Sequence, residues 1–117
     1  MLARARAALD DARYADAVRL ADGGLAAGGP RELLLVRGDA LRGLGRFEDA
    51  VASYRRAMRG AGRSRRAIAG LSAARLLATE LGRFAEAREI LDESGALAPG
   101  SPVEAAARRL DSRLAAR

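Results

Sequence analysis

Small and apolar residues recur along most of the chain at the three-to-four spacing of a helix rather than the alternation of a strand. The clearest stretch is the last: Val103, Ala106, Ala107, Leu110 and Leu114 share one face, while Arg108, Arg109, Asp111 and Arg113 fall largely on the other. Ala50, Tyr54 and Ala57 are spaced in the same way. Material for strands is scarce, with four Val, two Ile and one Thr in 117 residues, and β-branched residues are what strands favour. The pattern predicts an all-α chain of about seven helices, over 2–11, 14–27, 30–43, 47–60, 64–81, 84–95 and 102–116. Ser101, Pro102 and Glu104 read as the start of the last: Ser as N-cap, Pro in the first turn and Glu three residues on.

The helices are organised by a repeat. Ala12-Arg13-Tyr14-Ala15-Asp16-Ala17-Val18, Gly45-Arg46-Phe47-Glu48-Asp49-Ala50-Val51 and Gly82-Arg83-Phe84-Ala85-Glu86-Ala87-Arg88 all read small, Arg, aromatic, any, acid, Ala, any. Three of the chain's four aromatics occupy this one slot, which chance placement explains poorly. Gly45 and Gly82 can end one helix in a left-handed turn. The aromatic then opens a second helix that packs back on the first, and the Ala three residues later permits close approach. Such a hairpin cannot bury its apolar face alone, so neighbours must stack.

With these positions in place the chain resembles the tetratricopeptide repeat, a helical hairpin of about 34 residues. In the middle copy, 31–64, Leu34 and Leu41 take the large apolar slots and Gly38 the small slot where helices cross. Gly45 and Phe47 mark the turn, and Ala50, Tyr54 and Ala57 fill the second helix. Arg37 and Gly62 depart from the pattern, which prefers Leu and Pro there. The third copy, about 68–99, keeps Leu71, Ala74, Ala78, Gly82, Phe84, Ala87, Leu91 and Pro99, but puts Arg75 in the small slot. Either its register slips so that Ala74 faces the partner helix, or the pair is splayed. The first copy starts part-way, with Ala5, Ala8, Tyr14, Ala17 and Ala21. The resemblance implies one domain over 1–117, with repeats at about 1–30, 31–64 and 65–99 and a capping helix over 101–117. It also implies a short right-handed superhelix.

Composition narrows the chemistry. There is no His, Cys, Lys, Trp, Asn or Gln. Missing His and Cys remove the usual general base, the commonest metal ligands and the thiol nucleophile. Missing Lys removes Schiff-base chemistry. Binding rather than catalysis is expected, with no cofactor and no metal. The longest fully apolar run, Leu33 to Val36, is far below the roughly 20 residues of a membrane helix, and no signal-peptide pattern stands at the N-terminus. A cytoplasmic protein is expected. Arginine without lysine, with abundant Ala and Gly, reads as a GC-rich bacterial codon usage.

In the tetratricopeptide family the first helices of the hairpins line a concave groove. Carried over slot by slot, that groove would offer Leu2, Arg6 and Leu9 from the first copy and Glu32, Leu35, Asp39 and Arg42 from the second. The third would offer Ser72, Leu76 and Thr79. This mixture suits a peptide or helix of a protein partner anchored by its side chains. The competing reading is that Leu35 and Leu76 pack against neighbouring helices. A carboxylate clamp of the known kind is not expected, because its slots hold Leu35, Asp39 and Ser72.

The charge is uneven. Arg55, Arg56, Arg59, Arg63, Arg65 and Arg66 lie within twelve residues without an acid, and they equal the net charge of +6. They read as a solvated turn, as a patch for an acidic protein, or as a contact for nucleic-acid phosphates. With Tyr54 as the only aromatic nearby, base stacking has little to work with, which argues against nucleic acid. An incompletely capped first hairpin leaves self-association as a further option. The adjacent acids Asp10-Asp11, Glu48-Asp49 and Asp92-Glu93 point in different directions on a helix and read as helix-end charges.

Overall fold

Alanine- and leucine-rich segments separated by glycines form seven helices in the computed structural model, which describes residues 1–117. They are α1 (Leu2–Asp10), α2 (Tyr14–Ala26), α3 (Leu33–Gly43), α4 (Phe47–Met58), α5 (Arg63–Thr79), α6 (Phe84–Glu93) and α7 (Glu104–Ala115). The all-α expectation holds, and each helix lies where the spacing placed it to within a few residues. Two starts come later than expected. Pro30, Arg31 and Glu32 make tighter turns whose carbonyls accept from Leu33, Leu34 and Leu35 N–H, so α3 begins at Leu33. Ser101 is not an N-cap: Glu104 N–H reaches its carbonyl instead, the helix begins at Glu104, and the Ser101 hydroxyl accepts from Val103 N–H at 3.2 Å. Glu104 turns back to accept from Gly100 N–H at 3.0 Å, so part of the expected reciprocal cap survives, displaced by one residue.

The three repeated motifs adopt one turn. Ala12 (φ 59°), Gly45 (φ 77°) and Gly82 (φ 64°) all sit in the left-handed region. Arg13 N–H closes the first turn on the carbonyl of Ala8, five residues back, and Arg46 N–H does so on Leu41. Arg83 N–H reaches Leu77, six back, so the end of α5 is wider by one residue. The paired Arg and acid bracket the following helix start: Arg13 lies 3.6 Å from Asp16 and Arg46 lies 2.6 Å from Asp49. An acid in the first turn is favoured by the helix dipole.

The chain divides into two compact units, 1–56 and 57–117, with the boundary inside α4. In the first, α2 packs against both α1 and α3, and α1 also meets α3. The core here is built largely from alanine. Ala5, Ala21, Leu33 and Val36 form one cluster, backed by Leu2, Leu9, Leu20 and Leu25. Ala8, Ala17 and Ala40 form another, joined by Tyr14 and Val18. Small side chains let the backbones come close, and glycines go further. A Cβ on Gly38 would lie 2.5 Å from the ring of Tyr54, and one on Gly43 would lie 2.6 Å from the ring of Tyr14. Tyr14 therefore packs forward onto α3 of the next hairpin as well as against the Ala8, Ala17 and Ala40 cluster. Arg37, the departure from the family pattern, pairs with Asp22 of α2 at 2.7 Å.

In the second unit α5 packs against α6, and α7 meets both. The register question in the third hairpin is settled by a slip: Ala74 is fully buried and Arg75 is exposed. The close approach falls at Gly70, where a Cβ would meet the side chain of Ser94. Ala107, Leu110 and Leu114 of α7 are buried, and the Arg117 guanidinium lies 4.2 Å from the centroid of the Phe84 ring.

Candidate functional site

The face of α3 that bears Glu32, Leu35, Asp39 and Arg42 is set by helical spacing of three, seven and ten residues. Leu35 remains partly exposed on it, and Arg42 is exposed. Asp39 is engaged within the fold. Its Oδ1 accepts a hydrogen bond from the Tyr54 hydroxyl at 2.5 Å, where the buried ring lies over Gly38. Burial, and then the neighbouring Asp39 carboxylate, push the Tyr54 phenol well above its ordinary range. Next to it, the buried Ser53 donates to the Leu34 carbonyl at 2.8 Å. The Arg31 guanidinium donates to the Arg56 carbonyl at 2.6 Å and satisfies one of the open carbonyls at the end of α4.

On α1, Arg6 is exposed. Leu9 is half-buried against the alanine clusters, so much of its surface serves packing. On α5, Ser72 is partly accessible and Thr79 is exposed, with the Thr79 hydroxyl donating to the Arg75 carbonyl of its own helix. Leu76 is only 3% exposed. It cannot meet a partner and leaves the set of candidate groove residues. A helix-period pattern locates the apolar face but does not say which part a neighbour covers.

The arginines of the basic stretch divide by unit. Arg55 and Arg56 stand in the last turn of α4, where positive charge complements the helix dipole. In the second unit, Arg59 precedes the turn at Gly60, while Arg63, Arg65 and Arg66 open α5, whose first turn holds no acid. Arg59, Arg63 and Arg66 are exposed, and Arg65 is half-buried. Arg63 and Arg66 line a recess of about 500 Å³ that is walled on its other side by residues from Ser94 to Pro102. Nothing local in the sequence marks this recess, because it joins segments about thirty residues apart.

The carboxylates do not gather: no three lie together in a way that could hold a metal ion. No helix is long and apolar enough to cross a membrane.

Hairpins closed by a left-handed small residue, an aromatic at each second-helix start and small residues at each crossing are the marks of one helical repeat. Comparison with known families agrees. The tetratricopeptide repeat profile matches residues 2–62 and again 35–102, two overlapping frames that together span the three hairpins. No curated protein and no solved structure gave a match. The chain belongs to the tetratricopeptide repeat family.

Proposed function

We propose that the chain is a non-catalytic interaction module, and that within its first unit the α1–α3 face takes a peptide or helix of a protein partner. Family membership supports protein binding in general terms. The observation that carries the particular face is Leu35, an apolar side chain left partly open between Glu32, Asp39 and Arg42. An apolar anchor with charged neighbours gives a peptide both burial and orientation. Asp39 contributes less than its position suggests, because Tyr54 already occupies one of its oxygens. The side-chain inventory supports binding over catalysis, since no His, Cys or Lys is present to act as base, nucleophile or electrophile.

Selection from a displayed peptide library tests the reading. The native protein should enrich a defined peptide class, and Leu35→Glu should weaken those peptides by about tenfold or more. Ile68→Glu, at an exposed apolar position on α5, should leave them bound. Equal retention by all three proteins would remove the α1–α3 face from consideration.

A further inference from the structure

We propose that the recess between the start of α5 and the α6–α7 connection binds a dianionic phosphoryl group, held by Arg63 and Arg66. The recess measures about 500 Å³, and none of its lining residues is acidic. That volume lies in the range of small-ligand sites, so it admits a phosphoryl group together with the group that carries it. Arg63 and Arg66 are three apart on one helix and therefore share a face. Two like charges at this spacing repel one another, and the first turn of α5 supplies no acid to offset them. An anion seated between them would relieve both.

The remaining donors fit the same ligand. The Ser101 hydroxyl accepts from Val103 N–H, which leaves its proton to donate. Ser64 lines the recess and is exposed. Ser94, by contrast, is committed: its hydroxyl donates to the Leu91 carbonyl and accepts from Ala96 N–H. The carboxylate just beyond the lining segment, Glu104, is turned to Gly100 N–H and to Arg108 at 2.9 Å, so its charge is engaged on α7. A single carboxylate ligand would use one guanidinium fork. A phosphoryl group, with three terminal oxygens and close to two charges, can accept from both forks and a hydroxyl at once. The site is independent of the α1–α3 face, and its failure would leave that reading intact.

The test is an amide-resolved titration of the full chain with inorganic phosphate, O-phosphoserine and sulfate, at low and at moderate salt. Saturable shifts should cluster at 63–67 and 95–102. Phosphoserine should bind more tightly as pH rises through about 6, where its second proton leaves, and sulfate should show no such dependence. Arg63→Gln/Arg66→Gln should weaken binding about tenfold or more. Arg109→Gln/Arg113→Gln, an equal charge loss at exposed positions of α7 outside the recess, should change it less than about twofold. Unchanged far-ultraviolet circular dichroism would show that both variants fold. Phosphoserine against phosphate separates a carried phosphoryl group from the free ion. The proposal is overturned by the absence of saturation with every anion, by shifts scattered over all the arginines, or by equal losses in the two double variants. Tighter binding of a single-stranded oligonucleotide than of phosphoserine would also overturn it.

Discussion

Gly38 lacks a side chain because Tyr54 occupies the space one would take. Helix propensity alone says that Gly38→Ala should stabilise the protein by roughly 1 kcal/mol. The structure says the opposite. The new Cβ would lie 2.5 Å from an aromatic carbon, and the ring cannot swing aside because it is fully buried and its hydroxyl is tied to Asp39. Overpacking of this kind costs about 1–3 kcal/mol, so after the propensity gain of roughly 1 kcal/mol a net loss of up to about 2 kcal/mol is expected in urea unfolding. A gain would show that the ring has room to move. The same tyrosine gives a pH signature. Its phenol is pushed up in the folded state, so the neutral form is favoured there. The stabilisation is complete below the unfolded value of about 10 and is lost as pH rises above it, at up to about 1.4 kcal/mol per pH unit. Urea midpoints measured from pH 8 to 11 should fall above pH 10 in the native protein. Tyr54→Phe should remove most of that slope.

Between residues and the whole stand the helices and the turns that separate them. Three equivalent turns use a left-handed residue, but only two use glycine. Ala12 at φ 59° carries the steric penalty of an L-residue there, roughly 1–2 kcal/mol, part of which glycine would return as extra freedom in the unfolded chain. Ala12→Gly should therefore stabilise by about 0.5–1 kcal/mol, and Gly45→Ala should destabilise by about 1 kcal/mol. Opposite signs for the two exchanges in thermal or urea unfolding check the point. Much of this level was legible beforehand. The small-Arg-aromatic motif marked each turn, and the spacing of apolar positions located every helix. What was not legible depended on contacts distant in sequence. Arg75 stood in a slot for a small residue, and only packing shows Ala74 turned inward. Leu76 and Leu35 looked alike as apolar residues on first-helix faces, yet one is buried and the other partly open. Asp39 looked available until Tyr54 was seen to reach it. The recess at Arg63 and Arg66 needs the α6–α7 connection, which no local pattern announces.

At the scale of the molecule, cores drawn from separate stretches of chain decide how stability is distributed. The alanine clusters beneath α1 and α2 take all their members from residues 2–40. The C-terminal helix takes its packing from α5 and α6. In repeat proteins, stability is close to a sum of repeat and nearest-neighbour terms, so damage in one hairpin need not open a distant one. Leu110 provides the probe: it is 3% exposed on α7, and truncation of a buried leucine to alanine costs about 2–5 kcal/mol. Leu110→Ala should speed amide exchange in α5, α6 and α7 by about thirtyfold or more, since every 1.4 kcal/mol is tenfold. Amides of α1 and α2 should change by less than about threefold, because their protection reflects local openings within 1–56. A uniform acceleration along the chain would instead mean that all seven helices open as one cooperative unit. The free energy of Leu110 would then be shared with helices that it does not touch.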